Sequence, residues 1–351
     1  MTAGRLDILR EWMVAQNLDA FVVSSAANVR YLTGFSGEGM LVVDQGVTLC
    51  TDGRYTVQAA QEAPWVDVAA DGGGHIANVA ARLMDDGVAR TGFEADVLSY
   101  SSYQKLVQQT KGIELVATCG IVREHRACKD RDEIALIRRA ASIADDAFAT
   151  LRAELQPGIS EREAALELHH LMVRGGADRC SFETIIAAGP NGAKPHAQPG
   201  PRELAEGDLV VVDWGARVEG YCSDCTRTIA IGAPDERRRE VWRAVWEAQQ
   251  AALALAGPGV ACRAVDAAAR ELLAERDLAE HFGHGVGHGV GLEVHEKPTL
   301  SASSEDELRP GMVVTIEPGV YIEGWGGVRL EELILITEAG SEALTHAGYD
   351  L

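Results

Sequence analysis

Five side chains in this sequence could share a metal centre: Asp213, Asp224, His288, Glu317 and Glu331. Four are carboxylates and one is an imidazole. Each lies in a strand-like or glycine-rich stretch, where a side chain can be aimed. Acids gathered this closely repel one another unless cations lie between them. Oxygen-rich ligation with one imidazole suits harder divalent ions such as Mn²⁺ better than a thiolate-type zinc site. Two such ions, about 3.5–4 Å apart, can share a water and depress its pKa until hydroxide forms near neutral pH. The expected chemistry is hydrolysis, with no serine or cysteine nucleophile. Neither a G-x-S-x-G motif nor a phosphate-binding glycine loop occurs.

Hairpins would have to position the acids. Leu209–Asp213 and Cys222–Ile231 read as strands joined near Val218–Gly220. With Arg217 paired to Gly220, antiparallel register sets Asp213 opposite Asp224. Directly opposed residues hold their Cβ atoms about 5 Å apart. Met312–Glu317 and Val328–Ile336 flank a second turn, Gly324–Gly327, and a register centred on Gly324 sets Glu317 opposite Glu331. One such pair could be an ordinary edge-strand charge pair. Two at equivalent positions argue for a site.

The equivalence is a duplication. Pro157-Gly158-Ile159 recurs as Pro258-Gly259-Val260, each time before a helix, and Ser160 with Glu163 forms a capping box on the first. The segment 203–213 recurs as 307–317, with Asp213 falling on Glu317. Residues about 131–231 and 234–337 each read helix, helix, hairpin. Such a repeat is expected to pack with pseudo-twofold symmetry. The two hairpins should then face each other in one curved sheet. The imidazole is less determined: His284, His288 and His295 fall within twelve residues among closely spaced glycines. Glycine lets backbone approach closely there, but spacing does not say which histidine binds metal.

Residues 1 to about 122 alternate helix and strand, as in an α/β domain. Helices are expected at Gly4–Gln16, His75–Asp85 and Tyr100–Thr110. Strands are expected at Asp19–Ser24, Met40–Val43, Val47–Thr51, Arg90–Glu94 and Glu114–Ala117. This part carries no catalytic constellation. Val122–Asp132 is dense in charge and reads as a linker. Beyond it, Ile137, Ala140, Ala141, Ala144, Phe148 and Leu151 share one helical face.

At 351 residues, 46% of them apolar, the chain suits two domains with sizeable cores. A net charge of −21 argues against nucleic acid or an anionic membrane surface as partner. No run of 18 apolar residues could form a transmembrane helix. The N-terminal stretch reads as an amphipathic helix, not a signal peptide. Seven scattered cysteines suggest reduced thiols and a cytoplasmic location. Cys222 and Cys225 form a lone C-x-x-C without a second pair at zinc-site spacing.

The motifs together resemble those of the pita-bread metallopeptidases. Asp213-Trp214-Gly215 with Gly220-Tyr221-Cys222-Ser223-Asp224-Cys225-Thr226-Arg227-Thr228 resembles their aspartate motif. Gly287–Glu296 resembles the histidine motif, and Thr315–Tyr321 and Gly327–Glu331 the two glutamate motifs. Within that clan the chain is most similar to prolidases (Xaa-Pro dipeptidases) and aminopeptidase P. Tyr31–Phe35 and Thr51–Tyr55 resemble the creatinase-like N-terminal domain of those enzymes. The resemblance implies an α+β protein: a creatinase-like α/β domain over residues 1–125, then a duplicated pita-bread catalytic domain over 126–351.

It also implies roles. Asp213 would bind one metal, His288 and Glu317 mainly the other, and Asp224 and Glu331 would bridge. Two divalent ions are implied, Mn²⁺ favoured over Co²⁺ or Zn²⁺. Glu317 would act as general base, and His295 would hydrogen-bond the substrate and its tetrahedral intermediate. His196 and His284 would line the proline pocket, and Arg329 would orient Glu331 or meet a substrate carboxylate. Glu332 stands where the family commonly has aspartate and should face away from Glu331. Thr299 stands where some prolidases carry arginine.

The implied substrate is an Xaa-Pro dipeptide or short peptide, cleaved at the imide bond, and the implied assembly is a homodimer. A dipeptidase would need a cation for the free carboxylate, such as Arg30 or Arg54 from a partner subunit. The alternative is an Xaa-Pro aminopeptidase acting on longer peptides. A non-catalytic peptide-binding module is disfavoured because all five ligand positions are kept. Methionine aminopeptidase chemistry is disfavoured by the N-terminal domain, and creatinase chemistry by the full ligand set.

Overall fold

The protein is described from a computed structural model covering residues 2–85, 87–349 and 351. It divides into two compact units, one ending at Arg126 and the other starting at Ala127.

The first unit runs α1 (Thr2–Ala15), β1 (Ala20–Val23), α2 (Ala26–Thr33), β2 (Met40–Val43), β3 (Val47–Cys50), α3 (Thr56–Glu62), β4 (Asp67–Ala69), α4 (His75–Asp85), β5 (Arg90–Glu94), α5 (Tyr100–Gln109), β6 (Glu114–Thr118) and α6 (Ile121–Ala127). Six strands form one mixed sheet in the order β4-β3-β2-β1-β5-β6. The expected elements are all present within a residue or two. The short α2, α3 and β4 were not anticipated, because three to eight residues carry too little periodicity to stand out. The expected linker is also corrected. Residues 121–127 form helix α6, with Val122 and Ala127 buried. Buried Arg126 donates to Asn28 Oδ1 at 2.7 Å. High charge density there reflects a paired, packed guanidinium and not a solvated tether.

The second unit begins with α7 (Arg131–Glu154) and α8 (Glu161–Arg174), each opened by a capping box, Asp130 with Glu133 and Ser160 with Glu163. Strands β7 (Arg179–Cys180), β8 (Ile185–Ala188), β9 (Leu209–Trp214), β10 (Ala216–Val218), β11 (Tyr221–Cys222) and β12 (Cys225–Ala230) follow. The second half repeats the plan: α9 (Glu236–Leu255), α10 (Cys262–Ala274), then β13 (Gly287–Gly289), β14 (Glu296–Leu300), β15 (Val313–Ile316), β16 (Gly319–Ile322), β17 (Gly326–Arg329), β18 (Glu332–Thr337) and β19 (Gly340–Ala343). The repeat extends to single bonds. Gly158 N–H donates to Leu204 O at 2.9 Å, and Gly259 N–H to Leu308 O at 2.7 Å. Each helix pair buries its apolar face on its own strands. Phe148 of α7 stacks on Trp214 of β9 at 4.2 Å between centroids, and Trp214 Nε1 donates to Ala144 O.

Register follows turn geometry. Glu219 and Gly220 both take positive φ, 46° and 87°, the signature of a two-residue hairpin turn. Val218 therefore pairs with Tyr221, and Asp213 lies opposite Thr226, not opposite Asp224. The displacement is two residues, so Asp224 keeps the face of Asp213 but lies diagonal to it. The second hairpin has the expected register. Ile316 pairs with Glu332 and Gly319 with Arg329, which sets Glu317 across from Glu331. Pro318, with no N–H to donate, lies where the ladder breaks into β15–β18 and β16–β17. The single curved sheet expected from the sequence is likewise corrected. The two halves form separate ladders, joined where Glu331 N–H donates to Thr226 O and where the Thr228 hydroxyl bridges the Arg329 backbone.

Candidate metal centre

All five acid and imidazole candidates line one cavity of about 670 Å³ in the second unit, together with His196, His284, His295 and Arg329. Asp213 comes from the end of β9, and Asp224 from the residue just before β12. His288 comes from β13, Glu317 follows β15, and Glu331 precedes β18. Asp224, His288 and Glu331 each offer a ligand atom within 4.8 Å of the others. Glu317 Oε1 lies 3.3 Å from His288 Nε2. Gly287 allows this approach, since a Cβ there would overlap the Thr315 carbonyl oxygen.

The proton arrangement of His288 suits a ligand. Its Nδ1 lies 3.1 Å from Gly289 O and must carry the proton to donate there, which leaves Nε2 facing Asp224 and Glu317. A metal-bound histidine characteristically donates its other N–H in this way. The Thr315 hydroxyl accepts from His288 N–H and donates to Glu317 at 3.3 Å. The Thr226 hydroxyl donates to Glu331 Oε2 at 2.7 Å. Arg329, 3% exposed, donates to Asp213 Oδ2 at 2.6 Å, to Thr226 Oγ1, to the Tyr321 hydroxyl and to Pro195 O. These bonds engage four of its five N–H groups.

Electrostatics supply the test for a metal. Four largely buried carboxylates face one guanidinium and one imidazole, and burying uncompensated charge is costly. Asp213 Oδ1 is buried with no hydrogen-bond partner. Burial raises the Asp224 carboxyl well above the usual range, and Glu331 and Asp213 reinforce it. Burial likewise raises Glu331, helped by Glu317 and Asp213. Burial also raises Asp213, although Arg329 pulls against it. Glu317 goes the other way: burial opposes its charge, but His288 outweighs it and holds the carboxyl at about 2. Crowded acids, an orphaned carboxylate oxygen and an imidazole with its Nε2 turned inward fit divalent cations.

The other histidines differ among themselves. His284 Nδ1 donates to Gly285 O at 2.8 Å, so its Nε2 accepts from the Tyr321 hydroxyl at 3.0 Å, which in turn accepts from Arg329. Burial holds the His284 imidazole down in its neutral form and pushes the Tyr321 hydroxyl up to about 12. His295 is exposed at the cavity rim with its ring 4.3 Å from that of His288. Partial desolvation and then His288 press it toward neutrality. His196 is exposed on the loop after β8. Glu332 faces away from Glu331, toward Arg227 and Thr345.

Thr226 and Tyr321 had no role in the sequence reading. Thr226 lies two residues after Asp224, so strand alternation alone would have put it on the same face. Tyr321 meets Arg329 diagonally across the second hairpin, and meets His284 through tertiary contact.

Comparison with known proteins identifies the fold and the family. A Xaa-Pro dipeptidase from Bacillus anthracis superposes with a TM-score of 0.96 at 36% identity, covering 100% of this chain and 99% of that one. An X-Pro aminopeptidase from Thermotoga maritima gives 0.87 at 34%, covering 95% and 98%. A Xaa-Pro dipeptidase of Pyrococcus horikoshii is 37% identical over 97% of this chain and 96% of its own length. Residues 5–128 match the creatinase/prolidase N-terminal domain, and residues 135–338 match metallopeptidase family M24. This chain belongs to metallopeptidase family M24.

Proposed function

We propose that the protein is a prolidase, hydrolysing the imide bond of Xaa-Pro dipeptides at a centre held by Asp213, Asp224, His288, Glu317 and Glu331. The observation that carries this reading is the single cavity lined by those five groups and three further histidines. When bound, two divalent ions, with Mn²⁺ favoured, supply a water acidic enough to react near neutral pH. Glu317, ionised and beside His288, would serve there as general base. His295 keeps one N–H in its neutral form and donates it to the oxyanion. His284 has both nitrogens engaged, so it shapes the cavity wall, as does His196. Arg329 has one N–H left over and is better used to aim Asp213 and Thr226 than to hold a substrate carboxylate. The reading carries a homodimer and a cytoplasmic location with it. Among the described residues, no helix is long and apolar enough to cross a membrane.

One observation favours the aminopeptidase alternative. Arg329 is the one arginine or lysine among the described cavity-lining residues, and it is engaged. A carboxylate-ended dipeptide thus meets no spare permanent cation among the described residues lining this cavity. Rates on Ala-Pro and on Ala-Pro-Gly, with Mn²⁺, Co²⁺ and Zn²⁺ in turn, decide between the two. Efficient Ala-Pro cleavage with weak tripeptide cleavage is expected; the opposite pattern sinks the dipeptidase reading.

A further inference from the structure

We infer that Arg227, Glu332 and Tyr349 form a latch behind the metal centre that positions Glu331, so that segment 345–349 sets metal affinity from the far side of the strands. The inference rests on the metal-centre reading above.

Side chains alternate along the two strands where the halves meet. Glu331 lines the cavity and Thr226 bonds it from the same side, while Arg227 and Glu332 point to the opposite face and also bond each other, at 3.0 Å. Arg227 is 1% exposed. Its guanidinium donates to the main-chain oxygens of Glu331 and of Thr226, and twice to Ala347 O, at 3.0 and 2.7 Å. Its plane lies 4.1 Å over the Tyr349 ring. Glu332 accepts from the Thr345 hydroxyl at 2.6 Å and from the Tyr349 hydroxyl. A guanidinium this deep is tolerated only with its donors satisfied. Its partners are of two kinds: backbone and side chains at the edge of the metal centre, and segment 345–349. Glu331 is therefore clamped on three sides, by Thr226 O at its N–H, by Thr226 Oγ1 at its carboxylate, and by Arg227 at its carbonyl. Loosening the segment frees the carbonyl side and lets the carboxylate drift. Arg227, Glu332 and Tyr349 touch no reacting atom and are positioning residues.

The test measures Mn²⁺ affinity of the metal-stripped full chain by titration calorimetry, with the visible spectrum of the Co²⁺-loaded protein as a second readout. Tyr349→Phe removes the hydroxyl and keeps the ring. Arg227→Lys keeps the charge and loses the fork. Arg138→Gln, which breaks a surface pair with Glu342, is the control. Loss of an outer partner typically costs about ten- to hundredfold in metal affinity. That loss is expected for Arg227→Lys, about tenfold for Tyr349→Phe, with a shifted Co²⁺ spectrum in both and no change in the control. Variants that melt earlier yet bind Mn²⁺ like the wild type overturn the latch. Should Arg227→Lys not fold, Tyr349→Phe decides alone. A wild-type chain that takes up no metal overturns the centre itself, and the latch with it.

Discussion

The two hairpins of the second unit descend from one pattern but deliver their acids differently. Eleven positions separate Asp213 from Asp224, and fourteen separate Glu317 from Glu331. The first hairpin closes on a two-residue turn, and its acids lie diagonally, with Thr226 opposite Asp213. The second spans a wider turn, and its acids face each other across a ladder interrupted at Pro318. The first hairpin also supplies the hydroxyl that holds Glu331, whereas the second supplies the guanidinium that holds Asp213. Each half thus orients an acid of the other. Duplication supplied two sets of ligands, and their divergence made the halves interdependent.

The sharpest break of that comparison pits the duplicated positions against each other. Glu317→Gln should lower kcat by about a thousandfold, the size of a lost general base. Asp213→Asn removes a ligand and should weaken metal binding by more than the about ten- to hundredfold typical of losing an outer partner, with much of kcat restored by added Mn²⁺. Equal kcat losses that Mn²⁺ does not relieve would show that the two positions have not diverged in role.

Removing the supporting hydroxyls comes next. Thr226→Val takes a hydroxyl from both Glu331 and Arg329 and should lower Mn²⁺ affinity by about tenfold. Thr315→Val removes the longer 3.3 Å contact to Glu317 and should have a smaller effect on affinity. Calorimetric titration of both variants checks the order, and a reversal would place the more important support in the second hairpin.

One pH effect on stability should come from Asp145 of the first half, whose counterpart in the second half cannot titrate. Burial raises Asp145 on α7 to about 6, although the His346 N–H bond opposes it. The native state therefore holds that proton more tightly than the unfolded chain. Its contribution, about 2–3 kcal/mol, is complete below pH ~4 and lost as pH rises to ~6. On α9 of the second half, buried Gln249 cannot titrate and donates to Ile316 O. Urea titrations at pH 4 to 7 should show the wild type losing stability relative to Asp145→Asn across that window. Parallel curves would refute the assignment.

Much of the site was legible because strand period and turn chemistry are local. The register placing Glu317 opposite Glu331 follows from counting about Gly324. The first hairpin departs from the register its sequence suggests by one turn residue on each strand, because Glu219 adopts a positive φ that its residue type does not announce. His288 could not be told from its neighbours by spacing. Its inward Nε2 is defined by a carbonyl one residue away and acids 29 and 64 residues distant in sequence. The helices His75–Asp85 and Tyr100–Gln109 were readable from their periodicity, and α6 was not, because its charge masks a buried Arg126.

By itself, the sequence determined which chemistry was available: alternation and duplication put four acids on two hairpins with glycine-flanked histidines beside them, since those features depend only on near neighbours. The tertiary structure alone decided how the halves meet. It put Thr226 under Glu331, Arg329 against Asp213, and Arg227 behind the carbonyl of Glu331. Those partners lie between 104 and 116 residues apart, and each joins one half of the duplication to the other, which no local pattern encodes.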